Sequence, residues 1–576
     1  MRSWVLSAKV LAILLAAAGV SAQSPEYPAP EGQWESYKAA RAKTIVELQP
    51  FRREATAVLP SGEPVKLISL NPNVNASFLL LLGDRAFHID NPDPLEQSVE
   101  LLEDEGLAIL LSRSGDSTRC VPWSNEMQEM ESARRSELPF APICGGRLYL
   151  RNTVSGSRSN LERMTDFLRD HVWQGENIVR VVKETLYRDE YALNSDLGTS
   201  DGTGCVEDGP CPAAISPRYA QSAISPIGFG IARYGADEKE MVPGGWYRAL
   251  GLEGVFVSAM QPRTIDEGVL NGPGEANRLD SIEGKAIAYL VAFNLDRFGV
   301  GFALGTDHPR LDWSPRPRAA ARIAGLPGPD GIRDAEPLVR SGMVPPEYSS
   351  QTVATFTAGF KRQHGAFKFG DYATIDTGKH YGFIEKGVIY SKLKTGLSTI
   401  YVLADGTVNM KTWSEEDNEL LPMIAFARQN GVPLVTLDQA SGEPVPGDRV
   451  NKWGPGNWSG SAKAELRTLR AGACLQHYAG RTYLIYGYFS TATPSAMART
   501  FQAYGCSHAM LLDMNALEHT YLALYPRQGG DIHVEHLMTG MAQLDRDAGQ
   551  GGVYARFLAF PDNRDLFFIY SRKEDE

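Results

Sequence analysis

The sequence holds no C-x-x-C pair, no internal repeat, no low-complexity tract and no basic stripe. Beyond residue 22 it also has no apolar run approaching the roughly 18 residues that a membrane-spanning helix requires. Each absence narrows the field. Without paired cysteines at metal-ligand spacing, a thiolate zinc module is not indicated. Without clustered Lys and Arg, and with a formal net charge of −12, the chain has no electrostatic footprint for nucleic acid. With no second apolar run, it has no expected membrane span. What is present is an ordinary globular composition, 43% hydrophobic and 22% charged over 576 residues. At about 150 residues per domain this length predicts two to four units.

The N-terminus departs from that composition. Arg2 and Lys9 precede "VLAILLAAAGV", and "VSA" precedes Gln23, matching the basic region, short apolar core and small-residue cleavage site of a secretory signal. Residues 1–22 are therefore expected to be removed on secretion or export to the periplasm, and no Cys follows the cleavage site to carry a lipid anchor. In an oxidising compartment the six cysteines fall into three neighbouring pairs, and Cys120–Cys144, Cys205–Cys211 and Cys474–Cys506 are the expected disulfides.

Residues 23–192 read as an N-terminal α+β accessory domain. Short apolar runs such as "ASFLLLLG" and "GLAILLSR" predict strands, and Leu161, Met164, Phe167, Leu168 and Val172 recur at helical spacing behind Ser159 or Asn160 as cap. Asp170, His171 and Glu176 on this helix read as a solvated face with a partly buried His. Residues 193–275 form a turn-rich connecting region with the Cys205–Cys211 pair. From 276 to 576 β-branched and aromatic runs return, predicting a twisted mixed sheet. Two helices are expected to pack on it, "EEDNELLPMIAFARQNG" ending at Gly431, and "TPSAMARTFQAYG" with Thr493 as cap, Pro494 at N1 and Gly505 beyond its end. The fold class is accordingly α+β.

Four segments of the C-terminal part carry a family resemblance. They are "VATFTAGFKRQHGAF", "STIYVLADGTVNMKTW", "LRAGACLQHYAGRTYLIYG" and "TPSAMARTFQAYGCSHAMLLD", in that order. Together they resemble the phosphodiester glycosidase family, whose activity on sugar phosphodiesters implies a hydrolase on an α+β fold. The family's Asn-Gly-Gly-Phe is here Thr357-Ala358-Gly359-Phe360, and its Asp-Gly-Gly-Gly-Ser is Asp513-Met514-Asn515-Ala516-Leu517. The resemblance thus carries over Gly359, Phe360, Arg481 and Asp513, and not the Asn or the glycines that let a backbone approach a ligand closely.

The residues themselves point to the same chemistry. Cleaving a glycosidic bond takes a proton donor and a carboxylate, and Asp513 and Glu518 supply two carboxyl groups in one short stretch. Arg481, with Arg362 and Lys361, offers positive charge for a phosphate or developing oxyanion, and His364 and His519 can carry a proton near neutral pH. Thr357 and Asn515 complete the candidate contacts. Each has a plainer alternative: Asp513 can cap turn amides, Asn515 can be a left-handed turn residue, Glu518 can be solvated and Arg481 can pair structurally with a carboxylate. No cofactor is indicated; a divalent cation on Asp513 is compatible with the chemistry and has no ligand set to support it. The pair His533 and His536 has i,i+3 spacing for a metal on a helix without the Glu base of a zinc peptidase, and "GNWSGS" at Ser459 lacks the nucleophile-elbow spacing. The leading expectation is a hydrolase of glycosidic or sugar-phosphodiester bonds in which Asp513→Asn removes activity and leaves unfolding unchanged. The alternative is a non-catalytic carbohydrate-binding or envelope protein on the same fold.

Overall fold

The computed structural model describes residues 26–102, 107–159, 162–163, 189–200, 206–234, 240–316, 318–361, 382–452, 466–528, 531–549 and 551–572. Within them the chain is a strand-rich α+β protein with antiparallel sheets. Arg362, His364, Cys205, Ser459, Asp170, His171 and Glu176 lie outside the described residues, as does most of the helical segment that follows Ser159. Among the described residues no helix is long and apolar enough to cross a membrane.

In the N-terminal part, six strands run in the order Arg53–Val58, Pro64–Ser69, Ser77–Leu82, Arg85–Asp90, Leu148–Arg151, Phe140–Ile143. The run "SFLLLL" lacks alternation because both faces of its strand are covered. Phe78, Leu80 and Leu82 pack into one core with Val65 and Leu67, while Leu79 packs with Ile68 into the larger core of the C-terminal part. A three-stranded sheet, Gln97–Leu102, Ala108–Arg113 and Asp116–Cys120, is tied to this unit by the Cys120–Cys144 disulfide.

The N-terminal sheet is also joined to the rest of the chain by buried charge. Arg151 Nε donates to Asp90 Oδ2 at 2.8 Å and Arg151 Nη1 to Glu385 Oε1 at 2.7 Å. Lys386 Nζ reaches Asp90 Oδ2 at 2.9 Å and also contacts Glu347, and Glu385 Oε2 accepts the Leu304 N–H at 2.8 Å. Arg151, Asp90, Glu385 and Lys386 are all within 3% of full burial. Such a cluster is held by its completeness, since any one charge left alone in this interior is costly.

The largest sheet has eight strands in the order Trp246–Arg248, Val255–Met260, Ala288–Asn294, Arg481–Ala492, Thr468–Tyr478, Cys506–Met514, Val435–Leu437, Pro444–Pro446. Its first two strands come from the segment read as a connecting region; they pair with each other, and the second, Val255–Met260, hydrogen-bonds directly to Ala288–Asn294. The helix Pro494–Ala503 crosses this sheet, with Thr493 accepting the Ala496 N–H and Gly505 at φ +68°. Gly472 and Gly487 face each other across two strands, and a Cβ on either would stand within 3.0 Å of Phe501. That pair of missing side chains is what lets the helix sit close to the sheet. The Cys474–Cys506 disulfide cross-links neighbouring strands of the same sheet.

Two five-stranded sheets complete the core. One runs Phe298–Ala303, Leu566–Ser571, Thr352–Thr357, Leu522–Leu524, Glu535–His536; the other runs Val388–Ser391, Phe383–Glu385, Ile424–Gln429, Ser398–Leu403, Val408–Thr412. The "DG" hairpin forms as expected between Ser398–Leu403 and Val408–Thr412. The helix expected over 415–431 does not form. Glu416–Met423 is 3₁₀-helical and Ile424–Gln429 is a strand paired on both sides. Pro422 ends the helical segment, and sheet partners then fix "IAFARQ" as extended.

His508 joins these layers, its Nε2 2.8 Å from Ser398 Oγ. Burial, with Lys411 nearby, lowers its pKa to about 3, and burial beside Arg151 lowers that of His88 to about 3. Both are neutral in the folded protein. Above pH 6.5 the folded and unfolded chains bind the same number of protons here, so no stability is lost. As pH falls from 6.5 toward 3 the unfolded chain takes up protons that the folded chain refuses, and stability declines by about 1.4 kcal/mol per pH unit per histidine once the difference is complete. Urea unfolding should therefore show lower stability at pH 5.5 than at 7.5, with the slope reduced in His508→Asn. Equal stability at the two values would contradict both buried imidazoles.

Candidate active site

Strand ends from three sheets meet at Asp513. Asp513 ends Cys506–Met514 in the eight-stranded sheet. Thr357 and Leu566 are register partners, so Ala358–Lys361 and Asp562–Asp565 leave their sheet at the same end. The Thr357 N–H donates to Tyr521 O, which brings the Glu518–Thr520 turn there too. Asn430, just past Ile424–Gln429, donates its amide to Leu512 O at 2.8 Å and locks the third sheet to the Asp513 strand. Gly359 packs against that same amide. Its φ is +146° and a Cβ would lie 2.9 Å from Asn430 Nδ2, so both conformation and space require glycine.

At this junction Arg564 is the hub. Its Nη1 donates to Asp513 Oδ2 at 2.7 Å, and its Nη2 lies 3.0 Å from Glu162 Oε1 and 2.7 Å from His519 Nε2. The second oxygen of Asp513 accepts the Met514 N–H at 2.8 Å. Lys361 Nζ approaches Glu162 Oε1 at 2.6 Å, and Asn563 Nδ2 donates to the same oxygen at 3.0 Å. Asp513, Glu518, Arg564, Glu162 and Lys361 are all at least nine-tenths buried, and His519 and Asp307 stand toward solvent at the margin.

The charges set one another. Burial pushes the Glu162 carboxyl up, but Arg564, Lys361 and His519 outweigh it and hold the group well below the usual range. Burial likewise raises Glu518, while its contact with His519, the nearby Arg564 and a hydrogen bond from Ser159 bring it down to about 2. Burial lowers Arg564, and the carboxylates around it more than restore its charge. Neither glutamate can serve as a proton donor near neutral pH. His519 can. Its Nδ1 lies 2.6 Å from Met514 O, which requires Nδ1–H, and its Nε2 lies between the Arg564 donor and Glu518 Oε1 at 3.2 Å. Without a proton Nε2 accepts from Arg564; with one it donates to Glu518.

The structure thus brings together Asp513, Glu518, His519, Thr357, Gly359 and Phe360, whose carbonyl accepts from Arg428 Nη2 at 2.7 Å. Glu518 is buried rather than solvated. Asn515 is a left-handed turn residue at φ +79°, its Oδ1 accepting from Thr468 Oγ1 at 3.1 Å. Arg481 is elsewhere. It begins the strand that ends near the site, but at the far end of the sheet, paired with Asp208 at 2.9 Å and half-exposed. Arg470, opposite Met514, and Tyr478, opposite Arg481, are roughly 26 Å apart at about 3.3 Å per residue. His533 and His536 are not on a helix: His536 ends a two-residue strand and pairs with Asp545 at 2.9 Å, while His533 is exposed. The i,i+3 metal spacing therefore does not arise.

Sequence reasoning passed over Glu162, Asn563 and Arg564. The signal for the latter two is the polar "DNRD" directly before the apolar strand "LFFIYS", a mirror of Asp513 at the end of one. Glu162 leaves no such signal.

No protein-family model matches the chain, and no curated protein matches its sequence. Among solved structures, the catalytic domain of zebrafish N-acetylglucosamine-1-phosphodiester alpha-N-acetylglucosaminidase is similar at 11% identity, covering 65% of this chain and 100% of that one, with a TM-score of 0.28. A hypothetical protein from Synechocystis is similar at 9% identity, covering 92% and 100%, with a TM-score of 0.26. At such identities and TM-scores neither likeness establishes the family of this chain.

Proposed function

We propose that the chain is an exported hydrolase of glycosidic or sugar-phosphodiester bonds, acting at the Asp513 cluster. The observation that carries this is the placement of His519 Nε2 between Arg564 and Glu518, with Asp513 Oδ2 on the same guanidinium. His519 is the group able to lend a proton to a leaving oxygen, and Asp513 and Glu518 are the carboxylates able to stabilise positive charge at a sugar carbon or to direct water. Arg564 holds negative charge at the reacting centre. The test is turnover of aryl glycosides and sugar phosphodiesters by the wild-type chain and by His519→Asn. The variant is expected to lose about a hundredfold or more in kcat with wild-type folding. Undiminished turnover in His519→Asn ends the assignment of the proton to this residue.

A second reading has its own support. Both oxygens of Asp513 are occupied, and Met514 stands where the resembling family has glycine, so the site also fits a protein that binds a sugar without cleaving it. Saturable binding with no product from any substrate in the panel would select that reading.

A further inference from the structure

Among the described residues, Glu162 brings the N-terminal half into the cluster, and the chain before it is held there along several residues. The Ser157 N–H donates to Pro561 O at 2.9 Å and the Asn563 N–H to Ser157 O at 3.2 Å. The Gly156 N–H donates to Thr306 Oγ1 at 3.1 Å, Arg158 pairs with Asp307 at 2.5 Å, and Ser159 Oγ accepts the Glu162 N–H at 3.0 Å. This lays residues 156–159 along Pro561–Asn563 and delivers Glu162 to Arg564. Three side-chain donors then meet one oxygen, Glu162 Oε1: Arg564 Nη2 at 3.0 Å, Lys361 Nζ at 2.6 Å and Asn563 Nδ2 at 3.0 Å.

A guanidinium, an ammonium and a carboxamide converging on a single oxygen are the donors that recognise an oxyanion, and here the chain supplies the oxyanion itself. Glu162 has little scope for covalent or proton chemistry. It is held ionised, so it is no acid, and three donors on one oxygen leave little electron density for attack. Its side chain turns on three rotatable bonds, so it can leave the donors without movement of the backbone.

We propose that Arg564, Lys361 and Asn563 form an oxyanion-binding subsite, and that Glu162 is its resident occupant, replaced by the phosphate or carboxylate of an acidic sugar ligand. The assignment of a sugar rests on the hydrolase reading; the oxyanion subsite does not. A tethered carboxylate competes at a high effective concentration, so wild type binds free anions weakly and removal of the Glu162 charge exposes the intrinsic affinity.

The experiment is calorimetric titration of the full chain, in buffer free of both anions, with inorganic phosphate and with glucuronate. Glu162→Ala is expected to bind at least one of them tenfold or more tightly than wild type, and Glu162→Ala combined with Lys361→Met is expected to lose that gain. A gain for phosphate alone assigns a sugar phosphate, and a gain for glucuronate alone assigns a uronate. If Glu162→Ala does not fold, Glu162→Gln keeps the shape and removes the charge, and the same gain is expected. Folded variants that bind both anions no better than wild type overturn the proposal, as does a gain that survives Lys361→Met. A gain without any turnover leaves the subsite standing and removes the hydrolase; turnover without a gain does the reverse.

Discussion

Asp513→Asn is expected to abolish turnover and to lower stability in the same variant. The sequence alone predicts an unchanged unfolding curve, because a polar residue at a strand end is commonly solvated. The structure supports the opposite expectation, since Asp513 is 4% exposed and receives Arg564 at 2.7 Å. Removing its charge takes away the carboxylate on Arg564 Nη1 and leaves Nη2 with Glu162 and His519. The loss should approach the roughly 3 kcal/mol at the lower end of broken buried pairs, with kcat down by about a thousandfold or more. Stability and chemistry can be separated by a double-mutant cycle with Arg564→Met. A coupling of about 2 kcal/mol or more in urea unfolding is expected between the two positions, and a value under about 0.5 kcal/mol would remove the pair from the account of stability. Turnover by Asp513→Asn at the wild-type rate would remove the residue from the site.

Arg151→Met should be the most damaging change to the fold outside the site. It takes a guanidinium from Asp90 and Glu385 together, leaving Asp90 with Lys386 and Glu385 with the Leu304 N–H, where both carboxylates are fully buried. The expected loss is about 3–5 kcal/mol, a large share of the few to fifteen that hold a typical domain together. The unfolding midpoint in urea measures it, and a shift worth less than about 1 kcal/mol would show that the cluster relaxes or admits water. The same variant should loosen the N-terminal sheet first, which limited proteolysis would show as cleavage preceding loss of the C-terminal core.

What could be read in the sequence was local. "AMLLD" announces a buried strand with a polar end, the Asp-Gly turn announces the Ser398–Thr412 hairpin, and Thr493-Pro494 with Gly505 brackets a helix of the expected length. Neighbouring cysteines gave Cys120–Cys144 and Cys474–Cys506 because short loops close most readily. The errors were equally local in origin. Ile424–Gln429 resembles a helix by composition until its two sheet partners are known, and Arg481 shares a strand with the right end of the sheet while standing at the wrong one. Arg564 and Glu162 meet across 402 residues. Nothing in the neighbourhood of Glu162 marks that meeting, since Ser-x-x-Glu ordinarily predicts a glutamate folding back on its own helix cap. Here Ser159 caps as expected, and the glutamate is drawn away by a guanidinium that no local pattern could place.

The central position of Leu566–Ser571, between Phe298–Ala303 and Thr352–Thr357, has a consequence for how the protein comes to be made. Its two neighbours end at Ala303 and Thr357 and so emerge from the ribosome well before it. At about 5–20 residues per second the gap is roughly 10 to 50 seconds. Until then this sheet lacks its central strand and the cluster around Asp513 lacks Arg564. The strand that completes this sheet is thus the last to be made, and the guanidinium at the centre of the site comes just ahead of it.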